Sequence, residues 1–116
     1  MLDEEIEALL PLTHLTYHIM LAVRREPMHG YAISKAVAEL SQGRVAPGTG
    51  TFYSALRRMM EEAVLEEVEQ PQGVDGNDSR RRFYALTELG RAVLEAERDR
   101  LQALLSLDGP DMATAG

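Results

Sequence analysis

The chain has 116 residues, enough for one domain with its own hydrophobic core but too few for a second. Hydrophobic residues make up 45% of it, an ordinary share for a globular protein, and the formal net charge is −7. It has no cysteine, which excludes disulfides, thiolate metal sites and a cysteine nucleophile. No apolar run is long enough to span a membrane and the N-terminus is acidic, so we expect a cytoplasmic protein with no membrane partner.

The charges are unevenly distributed, and their distribution is more informative than their sum. Acids are concentrated in residues 1–10 and 61–78, and neither segment contains a base. Six bases and two acids lie from Arg24 to Arg58, and residues 80–82 are three consecutive arginines. A fold that brings the two basic groups together would therefore form a basic face on an acidic protein.

The first part of the chain is predicted to be helical. Residues 1–10 indicate an acidic arm or short helix, and a helical period over residues 12–25 predicts the next helix, which Pro27 ends. On that helix His14 and His18 are four residues apart and could share a metal ion. Partly exposed helix histidines are the more common case, so we predict no metal site and no cofactor.

Two further helices follow, separated by turns. Residues 28–31 are predicted to form a turn before a helix over about residues 31–40, which Gly43 ends. After the next chain break, Thr49 or Thr51 is the candidate N-cap of a helix over residues 49–62. The apolar residues of that helix share one side, and small, polar and basic residues share the other. Taken alone, this pattern is that of an ordinary amphipathic helix.

A hairpin is predicted after that helix. Residues 65–69 are compatible with a strand, residues 71–79 have the composition of a hairpin tip, and residues 80–86 are predicted to be the return strand. An arginine run on a hairpin is usually a solvated strand, but its position after a helix-turn-helix pattern favours a role in binding.

The last helix is predicted to begin after its N-cap, Thr87, and to end near Ser106. It carries more apolar surface than one side of a small domain can cover, so we predict a homodimer. A helix in a groove of its own domain is the alternative. Residues 108–116 are predicted to be disordered. The predicted interface residues are Leu89, Val93, Leu94, Ala96, Leu101, Leu104 and Leu105.

The element order predicts a mainly α fold with a small two-stranded β-wing. A winged helix-turn-helix domain would occupy residues 11–86, with its wing over residues 65–86, followed by a dimerisation helix over residues 87–107. In this arrangement both basic groups can face double-stranded DNA. The predicted DNA-contacting residues are Lys35, Arg44, Thr49, Thr51, Tyr53, Ser54, Arg57, Arg58, Arg80, Arg81 and Arg82.

Three motifs stand in order along the chain. They are His29-Gly30-Tyr31, residues 50–53 with residues 56–59, and residues 82–90. Together they resemble the landmarks of PadR-like transcriptional regulators. The resemblance covers about residues 12–92. It departs at Phe52, where the family usually has leucine, and at Ala63, where it has glycine and where alanine disfavours the left-handed conformation.

The resemblance implies a homodimeric DNA-binding regulator, usually a repressor. Its C-terminal helix would form the dimer with help from the first helix, and the single C-terminal helix is that of the short subgroup. Some short relatives bind flat aromatic molecules through a tryptophan in the last helix, where Leu101 stands here. The sequence identifies no small-molecule effector.

We therefore expect a repressor that binds an inverted-repeat operator as a homodimer. The alternative, favoured by the net charge and the acids of residues 61–78, is an acidic winged-helix module that binds protein and not DNA. An enzyme is not predicted, because the chain has no recognisable catalytic motif.

Overall fold

The computed structural model describes residues 2–69 and 82–107, which form five helices and one small antiparallel sheet. No helix in this part of the chain is long and apolar enough to cross a membrane. The predicted mainly α fold with a β-wing is confirmed. In chain order the elements are α1 (Leu2–Leu9), α2 (His14–Val23), β1 (Met28–His29), α3 (Gly30–Leu40), α4 (Thr49–Glu61), β2 (Leu65–Val68), β3 (Phe83–Leu86) and α5 (Glu88–Leu107).

The sheet has three strands rather than the two predicted, in the order β1-β3-β2. Met28 and His29, predicted to lie in a turn, form β1 and pair with Tyr84 and Phe83 of β3. A two-residue strand is too short to show an alternating pattern, and it exists only because β3 supplies its hydrogen-bonding partner.

Helix α2 is shorter than its predicted span of residues 12–25, because Thr13 is its N-cap. The Thr13 side chain accepts a hydrogen bond from the main-chain N–H of Thr16, at 3.1 Å. This satisfies one of the free N–H groups at the helix start. The helix ends at Val23, and its buried residues join the core.

The turn between α3 and α4 is fixed by main-chain and hydroxyl hydrogen bonds. Gln42 and Gly43 both have positive φ, and the N–H of Gly43 donates to the Ala38 carbonyl at 2.8 Å. The buried Ser41 hydroxyl accepts from the N–H of Val45 at 2.9 Å. Gly43 therefore helps to end α3, as the sequence predicts.

The N-cap of α4 is Gly48, so the prediction that Thr49 or Thr51 caps this helix is wrong. Gly48 has an extended conformation and no side-chain cap bond is made. Thr49 and Thr51 lie inside the helix, and a residue that already has helical dihedrals cannot occupy the N-cap position. Their exposed side chains are consequently free of a capping role.

The end of α4 is held by two hydrogen bonds that reverse the chain into β2. The N–H of Val64 donates to the Met59 carbonyl and the N–H of Ala63 donates to the Met60 carbonyl, both at 3.0 Å. This is the Schellman arrangement, which places its left-handed residue at Ala63, with φ of 62°. The predicted left-handed turn is thus present with alanine in the position that favours glycine.

Helix α5 starts as predicted, with Thr87 as its N-cap. The Thr87 hydroxyl oxygen accepts from the N–H of Gly90 at 2.9 Å, and the hydroxyl donates to the Ala63 carbonyl at 2.5 Å. Thr87 therefore joins the turn after α4 to the start of α5. The predicted disordered tail, residues 108–116, lies outside the described residues.

Candidate nucleic-acid interface

Helix α4 has one side in the core and the opposite side in solvent. Phe52, Ala55, Leu56 and Met59 are buried against the rest of the domain. The middle of the exposed side is a line of residues spaced by four, three and four positions, which places them above one another on the helix surface. These residues are Gly50, Ser54, Arg57 and Glu61, and all four are exposed.

One flank of this exposed side contacts α3. The Tyr53 ring approaches the α-carbon of Gly30, the first residue of α3, and packs edge-on against the Phe52 ring at a centroid distance of 5.1 Å. Tyr53 nevertheless remains 41% exposed. It can therefore brace the two helices and still present its hydroxyl to a ligand.

The other flank contacts α2. An Nη2 hydrogen of Arg58 points to the Thr16 hydroxyl oxygen at 3.4 Å. A cleft of about 500 Å³ lies beside this contact. Its lining residues are Leu15, Gly50, Thr51, Ser54, Ala55 and Arg58.

Of the three arginines predicted to contact DNA from the wing, one is among the residues that the structure describes. Arg82, directly before β3, is exposed and lies 3.9 Å from a Glu67 carboxylate oxygen on β2. Two exposed partners at this distance attract each other weakly, so the arginine stays available to another anion. Arg80 and Arg81, the other two predicted wing contacts, lie outside the described residues.

Strand β3 of the wing contributes a tyrosine to the core, whereas its neighbour β2 carries exposed acids. Burial raises the pKa of the Tyr84 hydroxyl, against an opposing effect of the nearby Arg82 charge. Tyr84 is therefore neutral at physiological pH and belongs to the core. The exposed acids of β2, Glu66 and Glu67, lie on an edge strand of the sheet.

The remaining predicted DNA contacts are placed on the surface of the helix-turn-helix. Lys35 is exposed on α3, Arg44 is exposed in the turn, and Thr49 and Thr51 are exposed in the first turn of α4. Within residues 2–69 and 82–107, neither Lys35 nor Arg44 forms an ion pair. Every predicted contact that the structure describes is therefore open to solvent.

The predicted interface residues of α5 divide into three groups by burial. Val93 and Leu94 are buried in the protomer's own core, so they offer no surface to a second chain. Leu89, Ala96 and Leu101 are partly buried, whereas Leu104 and Leu105 are 49% and 68% exposed. The stripe that forms the core in the first half of α5 thus continues, uncovered, beyond Leu101.

A buried acid on α5 was not anticipated from the sequence. Glu97 is only 2% exposed, and its carboxylate accepts from the N–H of Leu12 at 2.9 Å and from Arg100 Nε at 2.6 Å. The hydrogen bond from Arg100 holds the pKa of Glu97 below its usual value, aided by the Leu12 N–H and opposed by burial. The sequence signal is the pair of opposite charges three residues apart on an otherwise apolar stripe.

One ring of the histidine pair on α2 is hydrogen-bonded within the helix. A ring nitrogen of His18 lies 2.6 Å from the His14 carbonyl oxygen, so this nitrogen is used within the helix. Among residues 2–69 and 82–107 there is no cluster of three or more His, Cys, Asp or Glu residues that could hold a metal ion.

Known proteins share both the sequence pattern and the fold. Transcriptional regulator YqjI of Escherichia coli K12 is 29% identical over 86 residues, which are 74% of this chain and 38% of that protein. A PadR family regulator from Clostridium difficile R20291 superposes with a TM-score of 0.67 at 22% identity, over 82% of this chain and 94% of that chain. Bacillus subtilis PadR, solved in complex with operator DNA, gives a TM-score of 0.58 at 21% identity, over 72% and 47% of the two chains.

The chain spans less than half the length of the curated relatives that it matches. The profile of the transcriptional regulator PadR-like family matches residues 19–96, from the middle of α2 into α5. PadR-family proteins are regulators and not enzymes. Because this match extends over more than half of the residues and includes the whole helix-turn-helix and the sheet, the chain belongs to the PadR-like family of transcriptional regulators.

Proposed function

We propose that this chain is a transcriptional repressor that binds double-stranded DNA as a homodimer, through the exposed side of α4. The observation that carries the proposal is the composition of that side. From Thr49 to Arg58 the exposed residues are hydroxyl-bearing, small or basic, and none is acidic. A helix whose opposite side is fixed in the core presents these groups without first having to become ordered.

The comparison with an operator complex supports DNA as the ligand. Bacillus subtilis PadR has the same fold and was solved with operator DNA. The net charge of −7 does not oppose this ligand, because the exposed residues from Thr49 to Arg58 include no acid and the acids of α1 lie on another element. Local charge, and not the total, governs the approach of a phosphate backbone.

Different positions on the exposed side of α4 would contact different parts of the DNA. Ser54 and Arg57 lie in the middle of the exposed side, where a side chain reaches base edges when a helix enters the major groove. Thr51 and Arg58 on one flank, and Arg82 at the wing, would contact phosphates. Glu61 lies at the C-terminal end of the same line and should repel phosphate.

The uncovered part of α5 supports the proposed homodimer. Leu104, Leu105 and Leu107 are each about half exposed or more, and they lie on the last two turns of one helix. Burying such a ridge against a second copy removes apolar surface from water. A twofold dimer would present two α4 helices to an inverted repeat, about 34 Å apart, which is one turn of DNA.

The DNA-binding proposal is tested by salt-dependent gel shifts with Arg57→Ala and Arg82→Ala. Each lost phosphate contact should weaken binding to all sequences and lower the salt slope by about one unit, whereas a lost base contact should also relax specificity. Arg98→Ala, an exposed arginine on α5, is the matched control and should change neither quantity. Unchanged binding in both test variants would refute the assignment of this face.

The dimer is tested by sedimentation of Leu104→Glu and Leu105→Glu, which place charge on the exposed ridge. The unaltered chain should sediment as a dimer, and the variants should sediment as monomers at low concentration. Gln102→Glu adds a charge at a neighbouring exposed residue and should leave the dimer intact. Repression itself is read from transcription in vitro at a promoter that carries a site selected with the purified protein.

A further inference from the structure

Arg58 has a partner within the fold, and this distinguishes it from Arg57 one residue earlier. Its guanidinium donates to the Thr16 hydroxyl oxygen at 3.4 Å, although Arg58 itself is exposed. No carboxylate within 4.0 Å of Arg58 is found in the described ranges 2–69 and 82–107. The guanidinium therefore keeps most of its donors for a ligand, while its contact with Thr16 orients it toward α2.

The Thr16 oxygen is itself held in place. Thr16 is only 6% exposed, and its hydroxyl oxygen also accepts a hydrogen bond from the Thr13 hydroxyl at 3.0 Å. Thr13 in turn accepts from the main-chain N–H of Thr16 at 3.1 Å as the N-cap of α2. The acceptor that Arg58 uses is thus tied to the rigid start of a helix.

The cleft beside this contact has the chemistry of an anion site. Thr51 contributes a hydroxyl donor, Arg58 contributes a cation, and Leu15 and Ala55 form its apolar walls. None of the described residues that line it is acidic. Arginine, serine and threonine are the side chains that proteins use most against DNA phosphates.

Resting on the DNA-binding function proposed above, we infer that this cleft binds one backbone phosphate of the duplex, with Arg58 as its cation and Thr16 as the residue that positions Arg58. The direction of the Arg58 side chain favours a phosphate over a base edge as its ligand. An arginine that reads guanine extends away from its helix into the groove, whereas Arg58 lies sideways against α2. The rim of the groove, where the backbone passes, is the part of DNA that such a side chain meets.

Thr16 contributes by ordering Arg58 before DNA arrives. A long side chain that is already oriented loses less rotamer freedom on binding. Removing the Thr16 hydroxyl should therefore weaken binding about three- to tenfold. Removal of this hydroxyl should leave the salt dependence of DNA affinity unchanged, because Arg58 still reaches the phosphate. Removing Arg58 should both weaken binding and lower the slope by about one unit.

The test is a double-mutant cycle measured by fluorescence anisotropy on a mixed-sequence duplex across a range of salt concentrations. The variants are Thr16→Val, Thr16→Ser, Arg58→Ala and the double variant Thr16→Val with Arg58→Ala. Valine has the shape of threonine, and the Thr13 hydroxyl that loses its acceptor is exposed and can bond to water. Thermal midpoints of all variants separate binding from folding, and Thr16→Ser keeps the hydroxyl and should bind like the unaltered chain.

The inference requires that Thr16→Val weakens binding only when Arg58 is present. An equal loss in the Arg58→Ala background would overturn it and assign Thr16 to the packing of α2 alone. An unchanged salt slope in Arg58→Ala would overturn the phosphate assignment. If the unaltered chain does not bind DNA at low salt, the proposed function fails together with this inference, whereas an additive cycle with intact binding refutes the inference alone.

Discussion

The ring of Tyr53 approaches Gly30 so closely that a methyl group on Gly30 would lie 2.7 Å from the Tyr53 hydroxyl oxygen and 3.0 Å from its Cε1 atom. This contact joins the second turn of α4 to the first residue of α3. Glycine is needed here for close approach and not for an unusual φ. The ring of Tyr53 thus links the two helices of the helix-turn-helix and leaves no room for a side chain at position 30 unless the ring moves.

Gly30→Ala should therefore displace Tyr53. The clashing atoms are at the far end of a side chain that can move, so we expect a loss of about 1–2 kcal/mol in the free energy of unfolding. DNA affinity should also fall, because the exposed tyrosine hydroxyl leaves its position on α4. Urea denaturation and anisotropy on one duplex measure the two effects.

The control for this prediction is the same substitution in a Tyr53→Ala background. With the ring absent, the added methyl group meets no atom of Tyr53, and the loss of stability should become small. A full loss in that background would contradict the contact, since residues that act through each other give non-additive effects.

Gly90→Ala should be far more disruptive than Gly30→Ala. An added β-carbon would lie 2.1 Å from the Val64 carbonyl oxygen, which is main chain and also accepts from the Thr87 N–H at 3.2 Å. Helix α5 would have to move away from the turn after α4. We expect a loss of about 3 kcal/mol in urea denaturation.

Arg91→Ala is the matched control for Gly90→Ala. Its exposed guanidinium donates to the Arg24 carbonyl at 3.2 Å, and removing an exposed contact should change the free energy of unfolding by about 0.5 kcal/mol or less. If Gly90→Ala lowered the free energy of unfolding no more than Arg91→Ala does, α5 would tolerate a side chain against Val64.

Features that depend on neighbours along the chain could be predicted from the sequence. The apolar stripe of α4, the N-cap Thr87 and the left-handed turn at Ala63 each follow from residue type and spacing within a few positions. The N-cap of α4 was predicted at Thr49 or Thr51 and is Gly48, because threonine and glycine are both accepted at this position and the turn from α3 decides the register.

Features that depend on distant contacts could not be predicted. Strand β1 exists through pairing with β3, more than fifty residues later. Glu97 looks like a surface acid until α5 is placed against the N–H of Leu12, 85 residues away in the chain. The same is true of Thr16 and Arg58, whose 42-residue separation hides their contact.

Ala63→Gly should stabilise the domain. Ala63 has φ of 62°, a conformation that disfavours any residue with a β-carbon. Relief of this strain exceeds the greater unfolded-chain entropy of glycine, so we expect a gain of about 0.5–1 kcal/mol in the free energy of unfolding.

An alanine-to-glycine substitution inside a helix should instead lower the free energy of unfolding. Ala103 is exposed within α5, and Ala103→Gly should lower the free energy of unfolding by up to about 1 kcal/mol. If Ala63→Gly also proved destabilising, the left-handed conformation would not carry the strain assigned to it. Thermal and urea denaturation of the two variants in parallel decide this.

The free energy of unfolding of the domain should depend on pH through Glu97. Its pKa is lowered in the folded chain by the hydrogen bond from Arg100, so the unfolded chain binds this proton more readily. Its contribution to stability is present above the ordinary glutamate pKa and is lost as pH falls through the lower pKa of the folded state. Glu97→Gln should cost about 1–2 kcal/mol at neutral pH, because Arg100 loses its charged partner.

The measurement is urea denaturation of the unaltered chain and of Glu97→Gln at pH values from about 7 to about 3. The difference between them should be constant near neutrality and shrink on acidification, because both side chains are then uncharged. Glu95→Gln, at an exposed neighbour on α5, is the matched control and should change the free energy of unfolding at neutral pH by about 0.5 kcal/mol or less. A Glu97→Gln difference that stayed constant down to the lowest pH would mean that this carboxylate is not stabilised in the folded state, and that its contacts with Leu12 and Arg100 contribute no proton-linked energy.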